Sequence, residues 1–236
     1  MIESRAVTIQ VGSSSYHSIN DLGLYIGNYD CVKEPQVDTH IVTIPGRNGY
    51  VDLSEAIAGR PIYTEREIEI QFGSLKTPST WPAQISQIYN LFHGKTIRLI
   101  FDDDTDWYYE GRATIEGFAF FRQVGVFTLK VKAKPFKYAI NLQPGLSDWS
   151  LTTSYSSKDI PITQMPVSPE FVVSGLSSGT VSIRVASGYP GYGWSKDITL
   201  NGTYQYIGLW FAESTRIQAK GPSGSKLSIN YRQGSI

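Results

Sequence analysis

The chain has 236 residues, with 21 Lys+Arg against 21 Asp+Glu and a formal net charge of zero. That balance speaks against a nucleic-acid binder, which meets phosphates with a basic face, and against an acidic disordered tail. The length reads as one large domain or two small ones, 41% hydrophobic residues suffice for a core, and 22 Gly with 12 Pro favour many short strands over long helices.

The first strand-like segments are AVTIQV (6–11) and LGLYIG (22–27). In the stretch 44–74, Ile62, Thr64, Arg66, Ile68, Ile70 and Phe72 share one face of an extended chain. Tyr63, Glu65, Glu67, Glu69 and Gln71 share the other. A period of two predicts a strand with one buried and one wet face. One helix is predicted over 81–93. Ser79 or Thr80 caps it, Pro82 suits its first turn, Ile85, Ile88 and Leu91/Phe92 fall at helical spacing, and Gly94 ends it. His93 at its C-terminal end reads as a cation matched to the helix dipole. Strands follow at 96–101, 107–118 and 120–134. In the last, Phe127, Leu129, Val131 and Ala133 face one way, and Thr128, Lys130, Lys132 and Lys134 the other.

The composition changes near residue 138. Residues 1–137 hold 14 of the bases and 16 of the acids; residues 138–236 hold the other 7 and 5 and are rich in Ser, Thr and Gly. This predicts two domains, 1–137 and 138–236. The stretch 143–168 reads as a strand-poor lead-in to the second. Strands are predicted there at 170–174, 180–187, 196–200, 204–212, 215–220 and 225–231, with Asn201-Gly202 as a two-residue hairpin turn. The fold class is therefore mainly β: an N-terminal β-rich domain with one helix and a C-terminal β-sandwich.

Cys31 is the single cysteine, which excludes an intrachain disulfide and a Cys-based zinc site. The opening MIESRAVTIQVG does not read as a signal peptide, and no run of about 18 apolar residues stands ready to cross a membrane. A soluble protein made in the cytosol is expected.

The search for catalytic chemistry returns little. His17, His40 and His93 are far apart, and no HExxH, G-x-S-x-G, Walker or dinucleotide motif is present. Asp102-Asp103-Asp104-Thr105-Asp106 offers alternate carboxylates to a hard cation. The glycine and the glutamate of a calcium loop are replaced by Trp107 and Ala113, so a solvated hairpin tip is expected. No carboxylate pair stands out for glycoside hydrolysis. Neither enzyme activity nor a metal or cofactor is expected. Along 204–212, Tyr204, Tyr206 and Trp210 alternate against Ile207, Leu209 and Phe211, and Tyr189, Tyr192 and Trp194 lie in the preceding glycine-rich loop. Either some of these rings are open to a sugar or protein partner, or one set lines the core and the other is covered.

The segment Ile44-Pro45-Gly46-Arg47-Asn48-Gly49-Tyr50-Val51-Asp52-Leu53, followed by Gly59, Arg66 and Phe72, resembles the I-P-G-R-x-G … R-x-I-x-I-x-F signature of distal tail proteins of long-tailed bacteriophages. Trp107-Tyr108-Tyr109-Glu110-Gly111-Arg112 after the acidic turn, and the final Lys-Pro-Phe, resemble the same family. The likeness covers 1–137. In the second part, Gly145-Leu146-Ser147-Asp148-Trp149 and Leu227-Ser228-Ile229-Asn230-Tyr231 are similar to galectin-like or carbohydrate-module-like sandwiches, which family members commonly carry.

The resemblance implies a virion protein: a hexameric ring of this chain at the tip of the tail tube. The ring would join the tube protein to tail-tip hub or tail-associated proteins and, in some phages, to receptor-binding proteins. Arg47, between two turn glycines, and Arg66 are candidate contacts between subunits. So are Glu65, Glu67 and Glu69 with Lys130, Lys132 and Lys134, whose complementary faces either pair within a subunit or close a ring. The alternative function is attachment to cell-surface glycans through Tyr192, Trp194, Tyr204, Tyr206 and Trp210.

Overall fold

The computed structural model describes residues 5–28, 30–56, 59–74, 76–121, 124–161, 165–187, 193–206, 209–211 and 214–236. The protein is mainly β. In chain order its strands are β1 (Val7–Val11), β2 (Ser14–His17), β3 (Leu24–Ile26), β4 (Ile41–Val42), β5 (Val51–Asp52) and β6 (Arg66–Ser74). The helix α1 (Trp81–Phe92) is followed by β7 (Thr96–Phe101), β8 (Trp107–Phe121), β9 (Val124–Ala133) and β10 (Lys137–Ala139). Then come β11 (Gln143–Ser150), β12 (Ser156–Ile160), β13 (Pro169–Ser174), β14 (Val181–Ser187) and β15 (Ser195–Ile198). The last four are β16 (Gly202–Gln205), β17 (Thr215–Lys220), β18 (Lys226–Tyr231) and β19 (Gly234–Ser235). Internal contacts divide the chain into two compact units, Met1–Lys137 with Ile236, and Tyr138–Ser235.

In the first unit, seven strands follow one another in the order β2-β1-β7-β8-β9-β6-β3, each antiparallel to its neighbours. Alternation explains the core. Ile68, Ile70 and Phe72 of β6 sit opposite Val131, Leu129 and Phe127 of β9, and all six are buried. Phe72 and Phe127 meet at 5.4 Å between ring centres. The helix packs Ile88 and Phe92 into the same core. Its buried polar residue is fully engaged: Ser74 Oγ donates to Gln84 Oε1 at 2.7 Å, and Gln84 Nε2 donates to Leu22 O at 2.8 Å.

Two local expectations differ from the structure. Thr80 is the N-cap residue of α1 but makes no capping bond; its hydroxyl donates to Thr77 O in a preceding 3-10 turn. His93 serves as an acceptor, its Nδ1 taking the Ile115 N–H at 3.1 Å, so it ties the helix end to β8 rather than answering the dipole as a cation. The strand expected to end at 118 runs on to Phe121. A bulge between Glu116 and Ala119, where Gly117 takes φ +59°, keeps β8 in the ladder while re-aiming its side chains.

In the second unit, sheets of order β11-β18-β13-β16 and β12-β17-β14-β15 share one core, with Phe171, Val173, Leu227 and Ile229 from the first against Val181, Ile183, Val185 and Ile217 from the second. The expected strand-poor lead-in holds β11 and β12. Leu146 pairs with Ile229 and Trp149 with Leu227, across two register shifts and the left-handed Asp148 (φ 47°), and those irregularities break the alternation that would have revealed β11. Asn201-Gly202 closes no hairpin, because β15 and β16 lie in opposite sheets. The Asn201 carboxamide instead clips the Leu176 backbone, accepting its N–H and donating to its carbonyl, both at 2.9 Å. The predicted strand over 204–212 is interrupted: β16 ends at Gln205, Leu209 N donates to Tyr206 O, and Phe211 bridges Val167.

Candidate assembly surface

The chain between Cys31 and Glu69 leaves the sheet and returns as a two-stranded ribbon. Its rungs are backbone hydrogen bonds from Glu69 N to Cys31 O, Lys33 N to Glu67 O, Thr64 N to Gln36 O, Asp38 N to Ile62 O and Leu53 N to His40 O, all between 2.8 and 3.0 Å. The β4–β5 pair completes it, with Ile41 opposite Asp52 and Val42 opposite Val51. At the tip, Arg47 N donates to Ile44 O at 3.1 Å, and Gly46 and Gly49 take φ +82° and +79°, a conformation that side-chain-bearing residues rarely adopt. The turn therefore needs both glycines of the quoted motif. It leaves the Arg47 guanidinium without a partner among the described residues.

This arm exposes apolar side chains in unusual density. Tyr50 is 63% exposed and Ile41 53%, and Val37, Val42, Ile44, Leu53 and Ile62 are exposed with them. An isolated two-stranded ribbon is marginal in water, and a contiguous apolar patch commonly marks an interaction site. Beside the arm, an open cavity of about 640 Å³ is lined by Val37, Asp52, Ser54, Pro61 and Tyr63. Ser54 Oγ donates to Asp52 Oδ1 at 2.5 Å, and bonding from Ser54 holds the Asp52 carboxyl below its ordinary range.

The charged candidates behave differently. Glu67 lies directly opposite Lys132 and Glu69 opposite Lys130 in the β6–β9 ladder of the same subunit. Lys132 pairs with Glu65 at 3.3 Å and Lys130 with Glu116 at 2.8 Å. Lys134 pairs with Glu110, which Arg98 also holds at 2.8 Å. Of the two stripes, Glu65 and Lys132 form an ion pair with each other within the subunit, while Lys130 and Lys134 take Glu116 and Glu110 outside the glutamate stripe. Arg66 faces the other way: it is 4% exposed, beneath the Tyr109 ring at 5.3 Å, on the face of Ile68 and Ile70. Burial there pulls its pKa down. It offers no surface to a neighbour.

Among the described residues, no group of three or more His, Cys, Asp or Glu is placed to hold a metal ion. The acidic turn is tied inward instead: Asp102 to His17 at 3.1 Å, Asp103 to Arg5 at 3.0 Å and Asp104 to Lys137 at 2.6 Å. No helix among the described residues is long and apolar enough to cross a membrane.

Among solved structures, the chain is similar to the crystal structure of the SPP1 Dit (gp 19.1) protein, described as a paradigm of hub adsorption apparatus in Gram-positive infecting phages, with a TM-score of 0.67 at 15% sequence identity. The match covers 98% of this chain and 99% of that one. At that identity the likeness is one of fold. No protein-family model matches the chain, and comparison with curated proteins finds no relative.

In the second unit the aromatic candidates divide. Trp194 stacks on Phe171 at 5.7 Å and 15°, and Tyr206 meets both at 5.6 and 6.0 Å, so these rings cover the core. Tyr204 is half-buried, its hydroxyl donating to Leu200 O at 2.9 Å. Trp210 is 41% exposed beside buried Leu209 and Phe211. Tyr189, Tyr192 and Ile207 lie outside the described residues.

The sequence reading missed the apolar character of the arm. Ile41, Val42 and Ile44 form a strand-like run with apolar side chains on both faces and no partner strand of matching pattern, and that is the signal that was available.

Proposed function

We propose that this chain is a structural subunit of a phage tail tip. Six copies close a ring at the end of the tail tube, and the ring joins the tube protein to tail-tip hub or tail-associated proteins and to receptor-binding proteins. The role is architectural rather than enzymatic, and its place is the virion tail.

The observation that carries this reading is the arm: an apolar ribbon that its own unit leaves uncovered, on a chain sharing the fold of a phage hub protein over nearly its whole length. A ring needs a heterologous contact, with one patch on each copy seated on a different patch of the next. The arm supplies the first patch. Burying a large apolar side chain is worth about 1.5–3 kcal/mol, so several per contact suffice to hold a ring. Arg47 at the tip adds a guanidinium suited to a carboxylate of the neighbour.

Mass photometry and negative-stain microscopy of the purified full chain test this. Six-subunit rings with a central opening are expected, and their population should rise when tail tube protein is added. A strict monomer at high concentration, with and without tube protein, overturns the reading.

A further inference from the structure

The outward face of the β12-β17-β14-β15 sheet carries a second built surface. Strand alternation turns Val181, Ile183, Val185, Ile217 and Ala219 inward, and leaves Arg184, Arg216 and Gln218 outward. Arg184 and Gln218 lie opposite each other in the β14–β17 ladder. A cavity of about 630 Å³ opens over them, lined by Arg184, Val185, Trp194, Ser195, Arg216 and Gln218. That volume falls within the roughly 300–1,000 Å³ of small-molecule clefts.

Both guanidinium groups are held from behind. Arg184 Nε donates to Gln218 Oε1 at 2.7 Å, and Gln218 Nε2 donates to Ser157 Oγ at 3.2 Å. The Arg184 guanidinium carbon lies 3.9 Å from the centre of the Tyr155 ring. Arg216 grips Asp159 through Nε at 2.7 Å and Nη2 at 3.0 Å. What remains free points to a ligand. The terminal Nη groups of Arg184 and Nη1 of Arg216 have no partner among the described residues. Among the described residues Arg184 has no carboxylate partner and no acid lines the cavity.

An exposed arginine ordinarily keeps its rotamer freedom, and fixing it costs entropy. Two neighbouring arginines fixed by three supporting side chains and a ring form a pre-organised donor array. Planar guanidinium groups with free N–H donors match the oxygens of a carboxylate or phosphate. The Ser157, Ser195 and Gln218 side chains around them suit sugar hydroxyls.

We propose that this face binds an acidic saccharide, its carboxylate or phosphate taken by Arg184 and Arg216 and its hydroxyls met by Ser195 and Gln218. This goes beyond the hub reading and does not depend on it, because the site lies wholly in the second unit.

The test is calorimetry on the full chain with three probes: hexagalacturonate, poly(glycerol phosphate) and neutral maltohexaose. Saturable binding of either acidic probe at millimolar affinity or tighter is expected, with maltohexaose at least tenfold weaker. Whichever acidic probe binds tells carboxylate from phosphate recognition. Arg184→Ala should weaken that binding at least tenfold, and Tyr155→Ala, which removes the ring behind Arg184, should weaken it less. Lys95→Ala, a charge-matched change at an exposed position of the first unit, should leave it unchanged. Absence of binding to both acidic probes overturns the proposal. So does equal binding of maltohexaose, or an Arg184→Ala protein that binds as well as the parent. Ring formation is read separately by mass, so failure of one reading does not carry the other with it.

Discussion

The arm and the β6–β9–β8 ladder belong to one unit and share the chain of β6, yet they solve opposite problems. The ladder's outer face is crowded with charge, but each of its lysines finds a carboxylate in the same subunit. The arm is crowded with apolar side chains and finds nothing to cover them. The difference teaches where association energy resides. Exposed ion pairs are worth about 0–1 kcal/mol each, whereas each large apolar side chain buried is worth about 1.5–3 kcal/mol. The complementary charge stripes are the more conspicuous feature of the sequence, and the arm is the stronger candidate for assembly.

The contrast is broken most directly at the arm. Ile41→Ser, Val42→Ser and Leu53→Ser together should weaken self-association at least about a hundredfold, read by mass photometry across a dilution series, with the folded unit's stability changed by less than about 0.5 kcal/mol. Loss of folding instead would mean that the arm is covered by its own unit. The converse change lies in β6, in the sheet from which the arm springs. Phe72→Ala empties a core site shared with Phe127 and should cost the first unit about 3–5 kcal/mol in denaturant unfolding.

Acid sharpens the ladder's side of the comparison. Burial pushes the Glu110 carboxyl up, but hydrogen bonds and charge from Lys134 and Arg98 outweigh it, and its pKa ends below the ordinary 4.5. A depressed folded-state pKa gives stability that is fully present above the unfolded value and is lost as pH falls through the folded one. Thermal melts of the parent protein should therefore lose stability below about pH 4.5, and Glu110→Gln should flatten that part of the profile. The smallest effect is expected from Lys132→Ala. Its partner Glu65 is exposed, so stability should change by about 0–1 kcal/mol and the oligomeric state not at all. Loss of self-association in Lys132→Ala would return the charge stripes to the interface.

Much of the fold was legible because β6, β9, β14, β17 and β18 alternate cleanly, and α1 carries Ile88 and Phe92 four residues apart. What stayed hidden is what alternation cannot encode. β11 was missed because bulges separate Leu146 from Trp149 by three residues, and 204–212 read as one strand although its end crosses to pair with Val167. Arg66 belongs to the inward set by its own periodicity. The family-like motif drew it toward the surface, and the Tyr109 ring that shelters it is 43 residues away in sequence. The donor array of the second unit was likewise visible only as outward residues on two strands. That β14 lies beside β17, bringing Arg184 to Gln218, is a property of topology.

The lone thiol sits at the root of the arm. Cys31 is fully buried, its carbonyl takes the Glu69 N–H, and its Sγ accepts a hydrogen bond from Arg5 Nη1 at 3.3 Å. Burial also pushes its pKa up, so little thiolate is present while the site stays closed. The molecule thus contains its own opening sensor. In a chain with one cysteine, the rate of modification by a thiol reagent counts how often the place where the arm joins the sheet comes undone, with no label to introduce and no competing site. A neighbour that clamps the arm would slow that clock, and its slowing, compared between dilute and concentrated protein, would measure in time what self-association contributes in energy.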